Sequence, residues 1–198
     1  MPAYHCSVEV PFVVIGYLLG TMPTALLVGR RIGRDPTREG SGNPGASNVY
    51  RTAGAKAGAY VFAGDVVKGM LATAIGWAAG DRVLGLVCGA AAVVGHVAPV
   101  TRRFRGGKGV ATACGMVIVL FPLLALGAAV VWVAVVKVGR TASLASLAVA
   151  VLLPLSVVAT GRPRAEVVGV VAVAALVVVR HAGNIARLAR GEERSLHA

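Results

Sequence analysis

Gly109-Val-Ala-Thr-Ala-Cys-Gly-Met-Val-Ile-Val-Leu-Phe121-Pro122-Leu-Leu-Ala-Leu-Gly-Ala-Ala-Val-Val-Trp-Val-Ala-Val-Val136 is a run of 28 residues without a charge. About 20 apolar residues carry an α-helix across a bilayer, so this run is too long for one comfortable span. Pro122 removes a backbone donor near its middle and cannot continue a helix from the preceding turn. The run therefore reads as two short helices joined at Phe121–Pro122.

That reading decides the fold because of what flanks it. Five other apolar runs can be read directly: Val10 to Gly29, a split run from Ala57 to Gly80, Val83 to Thr101, Thr141 to Gly161 and Val167 to Val179. Fourteen of the 20 lysines and arginines fall in three breaks: Arg30 to Lys56, 102 to 108, and Arg180 onward. Cytoplasmic loops collect such charge, so all three breaks belong on one side. Only an even number of crossings between the second break and the tail allows this. Splitting the 109–136 run supplies it, giving seven transmembrane helices, some short, with the N-terminus outside and the C-terminus cytoplasmic. Lys137 and Arg140 are matched by Arg162 and Arg164, so charge alone does not orient the hairpin from Thr141 to Val179.

Composition agrees. The 198 residues are 57% hydrophobic and 14% charged, with a mean hydropathy of +0.77; soluble domains are nearer 25% charged. The expected fold class is all-α, a polytopic integral membrane helical bundle forming a single transmembrane domain over residues 1–198. The net charge of +12 follows the loops and reads as the positive-inside pattern, not a nucleic-acid face. Cys6, Cys88 and Cys114 are scattered singly, which suggests neither a disulfide frame nor a zinc site. Glu9 precedes the first apolar run and no basic leader is present, so the N-terminus reads as a retained helix.

Four polar segments gather at the cytoplasmic surface in this topology. Gly40-Ser41-Gly42-Asn43-Pro44-Gly45-Ala46-Ser47-Asn48-Val49-Tyr50-Arg51 contains a literal G-x-G-x-x-G, but the charged stretch before it has no strand pattern, which excludes a dinucleotide fold. What remains is small hydroxyl and amide side chains (Ser41, Asn43, Asn48) around Gly42 and ending in Arg51, suited to a phosphate and to sugar-like hydroxyls. The alternative is an Asn/Gly/Ser-rich turn between helices. The second segment, Thr101-Arg-Arg-Phe-Arg-Gly106-Gly107-Lys108-Gly109-Val-Ala-Thr112-Ala-Cys114, is a basic glycine bend whose N–H groups are expected to be free for phosphate. It is no Walker A loop, since Gly109 follows Lys108. Arg102, Arg103 and Arg105 serve equally as lipid-headgroup anchors, and His96 ahead of them is a ligand or a capping histidine.

The third segment, Arg140 to Ser146, includes Ser143. In the fourth, His181, Asn184 and Arg187 share one helical face; a basic tail lying on anionic lipid is the competing reading. Asp65 and Lys68 interrupt an apolar helix at i, i+3 spacing, as an ion pair or as part of a polar site.

Gly-Ser-Gly-Asn-Pro-Gly-Ala-Ser-Asn-Val-Tyr-Arg at 40–51, Asp-Val-Val-Lys-Gly at 65–69, Gly-His-Val-Ala-Pro-Val at 95–100 with Phe-Arg-Gly-Gly-Lys-Gly-Val-Ala-Thr at 104–112, and Arg-His-Ala-Gly-Asn-Ile-Ala-Arg-Leu at 180–188 resemble the signature segments of the bacterial acyl-phosphate:glycerol-3-phosphate acyltransferases, the PlsY family. The likeness runs from about residue 10 to 193. It implies a seven-helix enzyme of the inner membrane, multi-pass, with its active site facing the cytoplasm. Such an enzyme transfers a fatty acyl group from acyl phosphate to glycerol 3-phosphate, giving lysophosphatidic acid and phosphate at the opening of phospholipid synthesis. No metal and no cofactor are implied. Partners would be the two substrates, membrane lipid and the soluble enzyme that makes acyl phosphate, with no nucleic acid.

By motif position Ser41, Arg51, Lys108, Ser143, His181 and Asn184 take the family's active-site roles. Gly42, Asn43, Asn48, His96, Gly106, Gly107, Gly109, Thr112 and Arg187 would bind substrate or phosphate, with Asp65 and Lys68 in support. The chain departs from the family's usual pattern at Ser47, at Thr141-Ala142 and at Ala182. No histidine is followed five residues on by aspartate: Val10, Thr101 and Ala186 stand there. The hydroxyl therefore needs another proton acceptor, and a phosphate oxygen of the donor is the candidate. Ser41 has no evident base beside it, which favours hydrogen bonding over a nucleophilic role.

A transporter of a small phosphorylated or anionic solute is the competing function, and would place polar groups near mid-bilayer. A phosphatidyl-alcohol transferase would need clustered aspartates, and Asp35, Asp65 and Asp81 are widely spaced.

Overall fold

The computed structural model describes residues 5–196, with side chains from Glu9 onward. The Cys6 side chain lies outside the described residues; Cys88 and Cys114 are free thiols. The helices are α1 His5–Gly20, α2 Thr24–Arg31, α3 Ala46–Ala53, α4 Ala55–Ala79, α5 Arg82–Val97, α6 Val110–Leu120, α7 Pro122–Gly139, α8 Ala142–Ala159, α9 Arg164–Arg180 and α10 Ala182–Ala189, and no strand occurs among the described residues.

Five stretches are long and apolar enough to cross a membrane, and α9 with α10, bent by 58°, makes a sixth. The break at Phe121–Pro122 is present, with Pro122 opening α7. Of its two halves α7 is long enough to span, whereas α6 has 11 residues, about 16 Å at 1.5 Å per residue. The Val10–Gly29 run is not continuous: Thr21-Met22-Pro23 separates α1 from α2, because Pro23 leaves the preceding carbonyls without a helical donor. The Leu19 carbonyl, which Pro23 would otherwise serve, accepts from Met22 N at 3.2 Å, and at the break the Met22 carbonyl accepts from Thr24 N at 3.0 Å and from the Lys68 ammonium at 3.1 Å.

The ends of the bundle are marked by side chains. Asp81 caps α5, accepting from Leu84 N at 2.9 Å, and Arg82 beside it holds Glu166 of α9 through two bonds of 3.0 and 3.1 Å. The same guanidinium donates to the Leu120 carbonyl at 2.9 Å and lies over the rings of Trp77 and Phe121. The other ends of α5 and α9 carry His96 and His181. α6 therefore starts beside the His96 end and finishes at the Arg82 end, running against α5 although it is short.

Close packing follows from small residues. A Cβ at Gly69 of α4 would meet the Thr112 carbonyl of α6, and one at Gly115 of α6 would meet the Val66 carbonyl of α4. Leu86, Val93 and Val97 of α5, Met116, Val117 and Leu120 of α6, Phe121, and Val157, Val170 and Val173 of α8 and α9 form the main core. α7 turns Leu123, Leu126 and Val130 outward, as a lipid-facing helix does.

Candidate functional site

Four chain segments meet at the His96 end. The first is the turn from Pro36 to Arg51. Gly40 and Gly42 have φ of 60° and 70°, a left-handed backbone open to glycine. Buried Asn48 ties the turn together: its amide donates to the Pro36 and Glu39 carbonyls at 2.9 and 3.0 Å, and its Oδ1 accepts from Ser41 N at 2.8 Å. Asn48 thus shapes the loop with both ends of its amide. Ser41 is exposed, and its Oγ accepts from Asn43 N at 3.4 Å. Half-buried Arg51 is carried by α3.

The second is the glycine bend. Gly106 N donates to the Val97 carbonyl and Gly107 N to the His96 carbonyl, both at 3.0 Å. The expectation of free N–H groups at these two glycines therefore does not hold: the bend saturates them against the orphan carbonyls at the end of α5. Arg180 donates from the other side to the Gly106 and Gly107 carbonyls, each at 3.4 Å. Gly109, with φ of 84°, turns the chain into α6. Thr112 is fully buried and its hydroxyl has no hydrogen-bond partner.

Lys108 projects from this bend. Its Nζ donates to Asn184 Oδ1 at 2.5 Å. Burial, and then the charges of Arg187, Arg51 and Arg180 working against Glu193, bring its pKa down to about 8.

The third and fourth segments are the start of α8 and the stretch from α10 into the tail. Asn184 passes the contact on, its Nδ2 donating to Glu193 Oε1 at 2.6 Å. Ser143 Oγ donates to the same oxygen at 2.9 Å, and Arg187 Nε donates to Oε2 at 2.8 Å. Burial raises the Glu193 pKa, but donation from Asn184, Ser143 and Arg187 and the Arg187 charge outweigh it, leaving the carboxyl below its ordinary range. Arg51 sits within the field of the same group: burial lowers its pKa, with Arg194 and Arg187 pushing the same way and Glu193 opposing. His181, buried at the 58° bend, donates Nδ1–H to the Val177 carbonyl at 2.7 Å, which leaves its Nε2 lone pair available.

Lys108 thus bonds Asn184 directly, and Asn184, Ser143 and Arg187 are joined through Glu193, with Arg51 and His181 in electrostatic range. Glu193 and Arg180 are not among the site residues that the sequence singles out. The signal for Glu193 is an acid set in a basic tail, Arg-Gly-Glu-Glu-Arg, within reach of arginines on either side.

Behind the bend lies a separate buried cluster. Asp65 and Lys68 form an ion pair at 2.8 Å, Lys68 Nζ is 2.8 Å from His96 Nδ1, and Thr24 Oγ1 donates to Asp65 at 2.5 Å. Both readings of the i, i+3 pair hold together: it is an ion pair, and it is part of a polar site. A cavity of about 20 Å³ touches these residues, Pro44, Arg102, Gly106 and Gly107, with room for a water molecule.

The profile of the family described as glycerol-3-phosphate acyltransferase matches residues 10–191. A glycerol-3-phosphate acyltransferase of Rubrobacter xylanophilus is 46% identical over 190 residues, covering 94% of each chain. That of Trichlorobacter lovleyi is 42% identical over 183 residues, covering 92% of this chain and 94% of the relative. Among solved structures, the crystal structure of PlsY (YgiH), an integral membrane glycerol 3-phosphate acyltransferase, superposes in its glycerol 3-phosphate form with a TM-score of 0.90 at 35% identity over 94% of each chain. Its lysophosphatidic acid form gives 0.89.

Proposed function

Since the chain belongs to the glycerol-3-phosphate acyltransferase family, we propose that this acyltransferase moves a fatty acyl group from acyl phosphate to the 1-hydroxyl of glycerol 3-phosphate, releasing lysophosphatidic acid and inorganic phosphate. The observation that carries the reading is the cation set of Arg51, Lys108 and Arg187 drawn from three parts of the chain around one carboxylate. Three cations facing a single acid leave an excess of positive charge for an anionic ligand. Both substrates carry phosphate.

In this scheme the glycerol oxygen attacks the acyl carbonyl carbon, and the bond from that carbon to the phosphate oxygen breaks. The departing phosphate takes the hydroxyl proton, so atoms and charge balance without a separate protein base. Lys108 and Arg51 neutralise phosphate charge, and holding the anhydride in line with the hydroxyl supplies much of the rate. The Nε2 lone pair of His181 orients the hydroxyl. Ser41, Gly42 and Asn43 approach the ligand from the first loop, while Asn48 holds that loop. Ser143 and Asn184 keep Glu193 and Lys108 in register.

The helix directions support a seven-crossing topology. α1 with α2, then α4, α5, α6, α7, α8 and α9, alternate between the Arg82 and His96 ends, which leaves the start of α1 opposite the site. The site is assigned to the cytoplasmic face of the inner membrane, because the basic loops 30–56 and 101–108 lie at its end.

Purified protein in lipid nanodiscs, given labelled glycerol 3-phosphate, is expected to form lysophosphatidic acid with acyl phosphate and to form none with acyl-CoA. Product from acyl-CoA alone contradicts the donor assignment.

A further inference from the structure

Asp65, Lys68 and His96 are buried, 2%, 3% and 9% exposed, and the chemistry proposed above uses none of them directly. Charge at membrane depth persists where it has partners and a task. Lys68 has three hydrogens and three acceptors: Asp65 Oδ1 at 2.8 Å, the Met22 carbonyl at 3.1 Å and His96 Nδ1 at 2.8 Å. An ammonium has no lone pair, so at the last contact Nδ1 must be the acceptor. His96 Nδ1 is also 3.4 Å from Asp65 Oδ1. That distance is the longer one, and Thr24 already donates to the same oxygen. The imidazole proton therefore belongs on Nε2.

Nε2 faces the glycine bend. A methyl group at Gly107 would overlap it, and the His96 carbonyl accepts the Gly107 N–H. The ring is the floor on which the residue before Lys108 rests.

We propose that Asp65 and Lys68 are positioning residues that act through His96: they hold its ring beneath Gly107 as the neutral Nε2–H tautomer, and so set the height at which the bend presents Lys108 to a substrate phosphate. The inference rests on the reading of Lys108 as a phosphate ligand. A shift of about 1 Å in a group that positions substrate lowers turnover on the order of 100-fold. Removing Lys68 alone leaves a buried, unpaired carboxylate and risks misfolding, so the charges are removed together.

The test uses full-length protein labelled with ¹⁵N-histidine in nanodiscs, the His96 signals being assigned by His96→Gln. Wild type is expected to show an unprotonated Nδ1 and a protonated Nε2. Asp65→Asn with Lys68→Met removes the donor to Nδ1; it is expected to mix the tautomers and raise KM for glycerol 3-phosphate about tenfold or more. Asp65→Asn with Lys68→Gln restores a neutral donor and is expected to recover most of both losses, whereas a merely structural role would move folded yield alone. A wild-type His96 protonated at Nδ1 overturns the proposal, as does an Asp65→Asn, Lys68→Met double variant that keeps the tautomer and KM of wild type. Should that double variant fail to fold, the wild-type spectrum still decides. If the purified enzyme does not acylate glycerol 3-phosphate at all, the functional reading falls while the spectrum judges this inference separately.

Discussion

At pH 7 a lysine whose pKa has fallen to about 8 is still mostly protonated, yet it is only half charged at about pH 8 and loses most of the rest over the following unit. The shift lies below the ordinary lysine value, so the cation proposed to receive phosphate is present at neutral pH and disappears as pH rises through about 8. We expect kcat/KM for glycerol 3-phosphate, which reports the free enzyme, to fall about tenfold per pH unit above that point. The kcat limb should lie at higher pH, because a bound anion stabilises the ammonium. Lys108→Arg should weaken activity and carry the kcat/KM limb upward, since a guanidinium does not titrate there. An unmoved limb in that variant would assign it to another group. Glu193 makes a second prediction at this scale. It gathers donors from Ser143, Asn184 and Arg187, and hydrogen bonds to charged groups contribute about 1.5–3 kcal/mol each. Glu193→Ala should therefore lower kcat/KM roughly 10- to 100-fold, with Glu193→Gln between it and wild type, as glycerol 3-phosphate saturation curves would reveal.

Between elements, stability depends on backbones that approach closely. Gly115 of α6 has the Val66 carbonyl where its Cβ would be, whereas Gly127 of α7 has open space around it. Gly115→Ala should cost about 1–3 kcal/mol through a forced α4–α6 separation, while Gly127→Ala gains helix propensity of up to about 1 kcal/mol. Thermal unfolding in one detergent should lower the midpoint for the first and leave it equal or higher for the second. The same elements show what the sequence can disclose. The break at Phe121–Pro122 and the run boundaries of α4, α8 and α9 are legible because proline and charge act locally. The stop at Thr21-Met22-Pro23 is harder to read, since the apolar run continues through it and one of the two donors to the Met22 carbonyl, the Lys68 ammonium, comes from 46 residues away. Arg51, Lys108, Ser143, His181 and Asn184 are marked out as active-site residues by the family resemblance alone, and the fold gathers Lys108, Ser143 and Asn184 into one hydrogen-bonded cluster. Glu193 is not marked out, because its partners come from α8 and α10 and only folding brings them together. The saturated N–H groups of Gly106 and Gly107 are hidden for a similar reason: a glycine bend looks open in sequence, and the carbonyls that close it belong to the end of α5.

Over the whole molecule, the fold resolves an ambiguity that charge leaves open. The loops around the α8–α9 hairpin carry equal positive charge, so the positive-inside pattern cannot orient it. Ser143 at the start of α8 bonds Glu193 in the tail, and Leu196 N donates to the Arg140 carbonyl at 2.7 Å, so the hairpin opens and closes at the site end with its turn at the other. The Arg82–Glu166 pair lies at that far end, where Asp81 and Arg162 belong as well. This arrangement makes a two-sided prediction for seven crossings. With Cys6, Cys88 and Cys114 replaced by serine or alanine, single cysteines at Arg38, Arg105 and Arg190 should react with a membrane-impermeant maleimide only in inside-out vesicles. Cysteines at Asp81 and Arg162 should react only in right-side-out vesicles. If Arg105 and Arg162 label from the same side, α6 does not cross, the 11-residue helix is a re-entrant segment, and the count drops to six.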